Sequence, residues 1–95
     1  MKYELLYTDA AKKETEDAAI YYEEISHGLG LSFLDEIEIK FGIIRKNPFT
    51  YGYIDDQKQL RDVKINRFPF VVIYKIESER VIVISVHHTR KEPFH

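Results

Sequence analysis

Two apolar runs near the C-terminal end of the sequence restrict the possible folds of this chain more than any other feature. They occupy residues 70–76 and 81–86, and the polar segment 77–80 connects them. Their length, their β-branched residues and the short polar link predict a β-hairpin. Because side chains alternate between the two faces of a strand, both faces of this hairpin are apolar. The remainder of the chain must therefore cover at least one of these faces.

Two earlier segments have the periodicity of amphipathic helices and can provide this cover. Small or apolar residues recur every three or four positions along each of them. They are Ala11, Thr15, Ala18, Tyr22 and Ile25 in the first segment, and Leu34, Ile37, Phe41 and Ile44 in the second. Thr8 or Asp9 can cap the first helix, and Pro48 ends the second because the residue before a proline avoids the α conformation. A helical hairpin is predicted.

The remaining segments complete a small α+β fold. Residues 3–7 and 60–67 have the composition of strands, whereas residues 49–59 are predicted to form a loop. The element order is then β-α-α-β-β-β, with the helical hairpin packed on a small, mainly antiparallel sheet. A chain of 95 residues has the length of one domain, so we expect a single domain over residues 1–95.

The composition excludes several kinds of functional site. The chain has no cysteine, which excludes disulfides, thiolate metal sites and cysteine nucleophiles. Of the four histidines only His87 and His88 are close in sequence, and neither belongs to a metal-binding motif. We therefore expect no metal and no cofactor. A signal peptide and an apolar stretch of roughly 18–20 residues are both missing, which favours a cytoplasmic protein without a membrane segment.

The end of the last predicted strand carries histidine and cationic residues. A tight turn at residues 77–80 would place Ile73 opposite Ile84, and His88 on the sheet face turned away from the helices. The cations predicted to surround His88 are Lys64, Arg67, Arg90 and Lys91. Such a cluster could bind phosphate or carboxylate groups, and a neutral imidazole could act as a base. The alternative is that His88 is a packed, hydrogen-bonded strand end.

A series of short motifs runs along nearly the whole chain. It comprises Tyr21-Tyr22-Glu23-Glu24, Gly28-Leu29-Gly30-Leu31-Ser32-Phe33-Leu34, Asn47-Pro48, Arg61, Phe68-Pro69-Phe70 with Tyr74, and His88-Thr89-Arg90-Lys91-Glu92-Pro93. In this order and spacing the motifs resemble the RelE/ParE superfamily of type II toxin–antitoxin systems, whose members are often named plasmid stabilisation proteins. The helix-hairpin length, the GLG stretch and the final HxRKxP pattern are more similar to the ParE side.

The resemblance implies a toxin that a cognate antitoxin neutralises, and it leaves the activity open. ParE-like members inhibit DNA gyrase by binding it, and in that interpretation no residue of this chain is catalytic. RelE-like members are endoribonucleases that cut mRNA on the ribosome. In that metal-independent alternative the candidate catalytic residues are His88, Arg61, Lys64, Arg67 and Arg90. A third hypothesis is a non-toxic member that only binds an antitoxin or itself.

The distribution of charge favours the ParE-like interpretation. Residues 1–56 carry a net charge of −6 and residues 57–95 a net charge of +4, with a sequence pI of about 6.1. A ribonuclease that approaches the ribosome needs basicity, because phosphate contacts dominate its affinity. Many RelE-like nucleases also have a C-terminal tyrosine, for which this chain has only Phe94.

The predicted register exposes an apolar face that could receive the antitoxin. It would carry Val71, Ile73, Ile82, Ile84 and Val86. Exposed apolar patches of this size usually mark partner sites. The residues predicted to bind the partner are therefore Lys64, Ile73, Ile84, His88, Arg90 and Lys91. The alternative is that the C-terminal segment 92–95 covers this face.

Overall fold

The structure is a computed structural model and describes residues 2–90. Its strands are β1 (Glu4–Tyr7), β2 (Tyr53–Asp55), β3 (Leu60–Lys64), β4 (Phe70–Glu77) and β5 (Arg80–His88). Its helices are α1 (Asp9–Ile25) and α2 (Leu29–Lys46), and the 3-10 turn Pro48–Thr50 follows α2. The strands form one sheet in the order β1-β5-β4-β3-β2. Only β1 and β5 run parallel among these neighbours.

The predicted α+β class and the order β-α-α-β-β-β are confirmed, with one added strand. The three-residue strand β2 lies inside the segment predicted as loop, where Tyr53 pairs with Arg61 on β3. A strand this short, with an irregular register at its second residue, leaves no alternating pattern in the sequence.

Helix α1 begins as the sequence predicts and ends differently. The Thr8 hydroxyl accepts a hydrogen bond from the Ala11 amide at 3.1 Å, which is the geometry of an N-cap. The helix buries Ala11 and Ala18 but leaves Ile25 59% exposed, so the predicted buried stripe does not reach the last turn. Ile25 is the last residue of α1, and the C-cap follows at Ser26.

The two helices approach each other closely at Gly30. A Cβ atom at this position would lie 2.5 Å from the Ala19 carbonyl oxygen, so only glycine allows this crossing. The Glu23 carboxylate accepts hydrogen bonds from the Gly28 and Gly30 amides, and these bonds lower the pKa of Glu23. The carboxylate thereby satisfies amides at the start of α2 that have no partner within the helix.

The core lies between the helices and one face of the sheet. Phe33 and Ile44 of α2 pack there with Val72, Tyr74 and Val83, all of them fully buried. The Tyr74 hydroxyl donates a 2.6 Å hydrogen bond to the Pro48 carbonyl, which connects β4 to the turn after α2. Burial raises the pKa of Tyr74 to about 12.

The β4–β5 hairpin departs from the predicted register at one residue. Ile76 pairs with Val81 as predicted, whereas Ile73 pairs with Ser85 and not with Ile84. A bulge next to Tyr74 inserts one residue into β5 and reverses the faces of everything after it. Val86 consequently lies in the helix-facing core, and His88 pairs with Phe70.

Strand β3 is displaced by two residues from its predicted pairing. Val63, and not Ile65, lies opposite Val72, while the Ile65 amide donates to the Phe70 carbonyl at 3.2 Å. An even displacement keeps every side chain on its predicted face. Val63 and Ile65 are accordingly buried in the helix-facing core, as the sequence predicts.

Candidate partner-binding site

The predicted cationic cluster around His88 is not assembled in residues 2–90. Lys64 pairs with Val71 and is exposed on the sheet face turned away from the helices. His88 pairs with Phe70, which packs against the helix-facing core. The sheet therefore lies between Lys64 and His88, and their predicted place on one face is wrong because of the bulge in β5. Lys91, the last cation of the predicted cluster, lies outside the described residues.

The imidazole of His88 is held by two contacts at the end of β5. Its ring lies 5.4 Å from the Phe70 ring in an edge-to-face arrangement. Its Nδ1 accepts a 3.1 Å hydrogen bond from the amide of Arg90, whose side chain is exposed. An Nδ1 that accepts a bond carries no proton, so a neutral ring has its proton on Nε2. In this arrangement Nε2 is a donor.

The Arg67 side chain contacts helix α2. Its backbone is in the left-handed region with φ 73°, and its Nη1 lies 3.6 Å from Glu36 Oε2 on α2. The guanidinium also lies over the Phe68 ring at 5.6 Å. Arg67 thus connects the β3–β4 turn to α2, which differs from the predicted place beside His88.

Arg61 lies at another part of the sheet, between two aromatic rings. It pairs with Tyr74 on β4, three positions along β3 from Lys64. Its guanidinium lies 4.1 Å from the Tyr53 ring centroid and 5.2 Å from that of Phe49, and it donates to the Tyr51 carbonyl. These contacts attach the segment after α2 to the sheet edge. The structure does not bring Arg61 together with His88.

The predicted exposed apolar face is largely buried. Ile73 is 3% exposed and Val71 is 7% exposed, although both lie on the face opposite the helices. Ile84 is half-buried at the bulge, where its carbonyl accepts a 2.9 Å bond from the Thr8 hydroxyl. Burial also raises the pKa of Asp62, which pairs with Ile73 on this face. Ile73 and Ile84 are therefore not the centre of an exposed patch.

A polar junction between α1 and β5 was not predicted from the sequence. Glu14 Oε1 accepts hydrogen bonds from the Ser85 hydroxyl and from the Val86 amide, both at 3.0 Å. The Ser85 hydroxyl is also 3.1 Å from Nδ1 of the buried His87. The one available signal was Ser85, a polar residue inside an otherwise apolar strand.

Beside this junction a surface pocket of about 450 Å³ opens between α1 and β5. We call it the α1–β5 pocket. Residues that line it include Glu14, Asp17, Tyr21, Tyr22, Phe70 and His88. His88, which the sequence predicts as a partner residue, lines this pocket, on a different face from the one predicted.

A second cavity of about 360 Å³ lies between the two helices, and we call it the interhelical groove. Its walls are mainly apolar, and the Tyr7 ring stacks on Phe41 at 5.9 Å along one side. The exposed residues Lys12, Glu16 and Glu38 also line it. An apolar depression with charged groups at its border is the usual form of a protein-docking site.

Residues 2–90 offer neither a metal-binding cluster nor a membrane-spanning helix. No group of three or more His, Cys, Asp or Glu side chains in this range converges on a point that could hold a metal ion. No helix in this range combines the length and the apolar character that crossing a bilayer requires.

The same fold is found in a solved structure of low sequence identity. The structure superimposes on a chain from the "Chromosomal ParDE TA system from P. aeruginosa" with a TM-score of 0.76 and 13% sequence identity. The match covers 92% of this chain and 96% of the other chain. A search of curated proteins finds no match.

The sequence defines the family more closely. Residues 5–93 match the family model described as the ParE toxin of the type II toxin-antitoxin system, parDE. This match spans nearly the whole chain, so the protein belongs to the ParE toxin family. The predicted relationship to the RelE/ParE superfamily, closer to the ParE side, is confirmed.

Proposed function

We propose that the protein is a toxin that acts in the cytoplasm by binding a protein target, and that this target is DNA gyrase. A cognate antitoxin would neutralise it by covering its contact surfaces. The observation that carries this proposal is the match of residues 5–93 to the ParE toxin family. The acidic net charge of −2 also suits a protein partner better than a phosphate-rich one.

The arrangement of cations supports binding over RNA cleavage. Metal-independent cleavage of RNA needs a base, an acid and a cation around one phosphate. In this chain the sheet separates Lys64 from His88, and Arg67 contacts Glu36 on α2. The Arg61 guanidinium is held between the Phe49 and Tyr53 rings.

Expression of the protein without an antitoxin is the first test, and arrested growth is the expected result. A supercoiling assay with purified toxin and gyrase then identifies the target. We expect inhibition that rises with toxin concentration and that disappears when the antitoxin is added first. Unchanged supercoiling at saturating toxin would contradict gyrase as the target. Primer extension on mRNA from the arrested cells provides a second assay, in which new cleavage sites would favour a ribosome-dependent nuclease.

For the antitoxin we propose that an apolar side chain enters the interhelical groove. The groove offers about 360 Å³ of mainly apolar space, with Lys12 and Glu38 among the residues that line it. Both residues are exposed, so exchanging their charges should leave the fold intact. We expect the double variant Lys12→Glu with Glu38→Lys to bind the antitoxin more weakly, measured by calorimetry. Unaltered affinity in a folded double variant would exclude the groove as the docking site.

A further inference from the structure

Glu14 is a half-buried carboxylate that has no cationic partner among residues 2–90. Its Oε1 accepts two hydrogen bonds of 3.0 Å, from the Ser85 hydroxyl and the Val86 amide. The single hydroxyl proton of Ser85 is shared with Oε2, which lies at the longer distance of 3.3 Å. These two donors are neutral, so Glu14 is solvated by dipoles, and the titratable group nearest along this network is the buried His87, 3.1 Å from the Ser85 hydroxyl. A carboxylate can accept about four hydrogen bonds, which leaves acceptor capacity on Oε2.

The surroundings of Glu14 increase the negative potential at this place. The seventeen residues of α1 contain six acidic and two basic side chains, a net charge of −4. Asp17 also lines the α1–β5 pocket, but its carboxylate is 3.0 Å from Lys13 Nζ and is already paired. Glu14 is therefore the acidic group of the pocket that remains available for a cation from outside.

The α1–β5 pocket also has aromatic walls, beside apolar side chains and the two histidines His87 and His88. The Tyr22 ring lies 5.3 Å from Tyr21 and 6.0 Å from Phe70, in edge-to-face contacts. Tyr21 is 60% exposed, so most of its surface can still be covered by a partner. The electron-rich faces of aromatic rings attract cations, and the attraction grows where water is displaced. The pocket thus combines a carboxylate with rings that favour the same kind of ligand.

Arginine fits this combination better than other biological groups. Its guanidinium is planar, stacks on aromatic rings and donates paired hydrogen bonds to a carboxylate. Lysine carries a compact, strongly hydrated charge and lacks the planar surface. A phosphate group would meet the charge of Glu14 unfavourably. A volume of about 450 Å³ is within the range of pockets that hold small organic groups.

We propose that the α1–β5 pocket binds an arginine side chain of the antitoxin, with the guanidinium on Glu14 and against the tyrosine rings. The identity of the partner rests on the function proposed above, whereas the chemistry of the pocket rests on Glu14, Tyr21, Tyr22 and Phe70, with His87 and His88 also in the lining. The antitoxin would then have two anchor points on the toxin. The interhelical groove binds an apolar side chain, and the α1–β5 pocket, on the opposite side of α1, binds a charged one.

The pocket can be tested without the antitoxin. N-acetyl-arginine amide is titrated into the ¹⁵N-labelled protein, and N-acetyl-citrulline amide serves as the uncharged control of the same shape. We expect saturable shifts of the Glu14, Tyr21 and Val86 amides with arginine only. Equal shifts with citrulline, or shifts spread over the whole surface with arginine, would overturn the proposal.

The variant Glu14→Gln tests the role of the charge, since glutamine keeps an oxygen that can accept from Ser85 and Val86. Glu24→Gln is the matched control, because Glu24 is an exposed acid on the same helix and lines neither cavity. We expect arginine binding to be lost in Glu14→Gln and unchanged in Glu24→Gln, with circular dichroism confirming the fold. If Glu14→Gln does not fold, Tyr21→Ala replaces it, because the exposed Tyr21 ring can be removed without opening the core. Arginine shifts that persist in the folded variant would refute the proposed site.

The affinity of the antitoxin is then measured for the parent protein and for the same variants. We expect Glu14→Gln to weaken its binding at least about tenfold, the size of effect that a charge-assisted hydrogen bond produces, and Glu24→Gln to leave it unchanged. If arginine amide binds the pocket but Glu14→Gln binds the antitoxin as tightly as the parent, the antitoxin is not the source of the arginine. A protein that proves non-toxic would contradict the proposed function alone, because the titration with arginine amide does not depend on toxicity.

Discussion

The two halves of β5 are stabilised in different ways, although they form one continuous strand. Residues 80–83 lie between two strands, with β1 parallel on one side and β4 antiparallel on the other. From Ile84 onward β1 no longer continues, and only β4 is paired. The second half instead receives side chains from the start of α1. The Thr8 hydroxyl donates to the Ile84 carbonyl, and Glu14 accepts from the Val86 amide.

This difference shows where a sheet edge can be closed without another strand. An unpaired strand edge is a place where other chains add on, and proteins usually cover it. Here the start of α1 covers the strand edge. The side chains of Thr8 and Glu14 bond to the β5 backbone where another strand would form a ladder of backbone hydrogen bonds. The first half should therefore depend on apolar burial, and the second half on Thr8 and Glu14. Four experiments examine this contrast.

The largest effect is expected in the first half. Val83 is fully buried opposite Tyr7 and Tyr74, so Val83→Asp places an unpaired charge in the core. We expect a loss of at least about 4 kcal/mol in the free energy of unfolding, enough to unfold a small domain. The neighbouring change Ile82→Asp, on the half-exposed opposite face, should cost about 1 kcal/mol. Denaturation in urea measures both, and similar losses would show that the two faces are equally important.

The second half should respond to the loss of Glu14. Glu14→Ala leaves the Val86 amide and the Ser85 hydroxyl without their acceptor, which should cost about 1–3 kcal/mol. Hydrogen exchange should accelerate at Val86 and remain slow at Val83, because only the second half loses a contact. Glu14→Gln should cost less. Uniform acceleration along the whole of β5 would mean that the two halves open together.

Thr8 connects the two halves and should have an intermediate effect. Its hydroxyl caps α1 by accepting from the Ala11 amide, and it donates to the Ile84 carbonyl at the bulge. Thr8→Ala should cost about 1–2 kcal/mol, the upper part of the range for N-cap residues. Thr8→Ser retains both hydrogen bonds and is the control. A loss of equal size in Thr8→Ser would show that the methyl group, and not the hydroxyl, is responsible.

The smallest effect concerns Tyr74, opposite Val83. Tyr74→Phe removes the bond to the Pro48 carbonyl and should cost about 1 kcal/mol. The pKa of Tyr74 is raised from 10.0 to about 12, so the folded state keeps its proton where the unfolded state loses it. The stability that the protonated Tyr74 gives to the folded state is fully present below pH 10, and it is lost as the pH rises toward 12. Melting temperatures across this range should fall more for the parent than for Tyr74→Phe, and parallel curves would exclude this linkage.

The same contrast explains what the sequence could and could not predict. The helices, the hairpin and the pairing of Ile76 with Val81 follow from periodicity and turn length, which are local properties of the chain. The bulge at residue 84 coincides with contacts that are distant in sequence, namely the end of the β1 pairing and the bonds made by Thr8 and Glu14. One inserted residue then moved Val86 and His88 to the other face. The predicted place of His88 and Val86 on the outer face was wrong for this reason, whereas Lys64 and Ile73 lie on the predicted face and the fold class was unaffected.

The candidate sites also depend on contacts that are not local in the sequence, so they could not be predicted from it. The Arg61 contacts with Phe49 and Tyr53 need the short strand β2, and the sequence has no alternating pattern that predicts this strand. The α1–β5 pocket needs residues that are far apart in sequence, such as Glu14 and Phe70. Composition did indicate an acidic first half of the chain, and the charge of α1 agrees with it.

The parallel pairing of β1 with β5 also has a consequence for the order of folding. Glu4 pairs with Arg80, so the first strand can join the sheet only after nearly all of the chain has been synthesised. The helical hairpin and the β4–β5 hairpin need only local contacts and can form earlier, because short loops close at a lower entropic cost. β1 should therefore dock late, together with the bond from the Thr8 hydroxyl to the Ile84 carbonyl and the Glu14 contacts with β5. During translation, the nascent chain would lack both the closed sheet edge and the α1–β5 pocket until its last strand emerges from the ribosome.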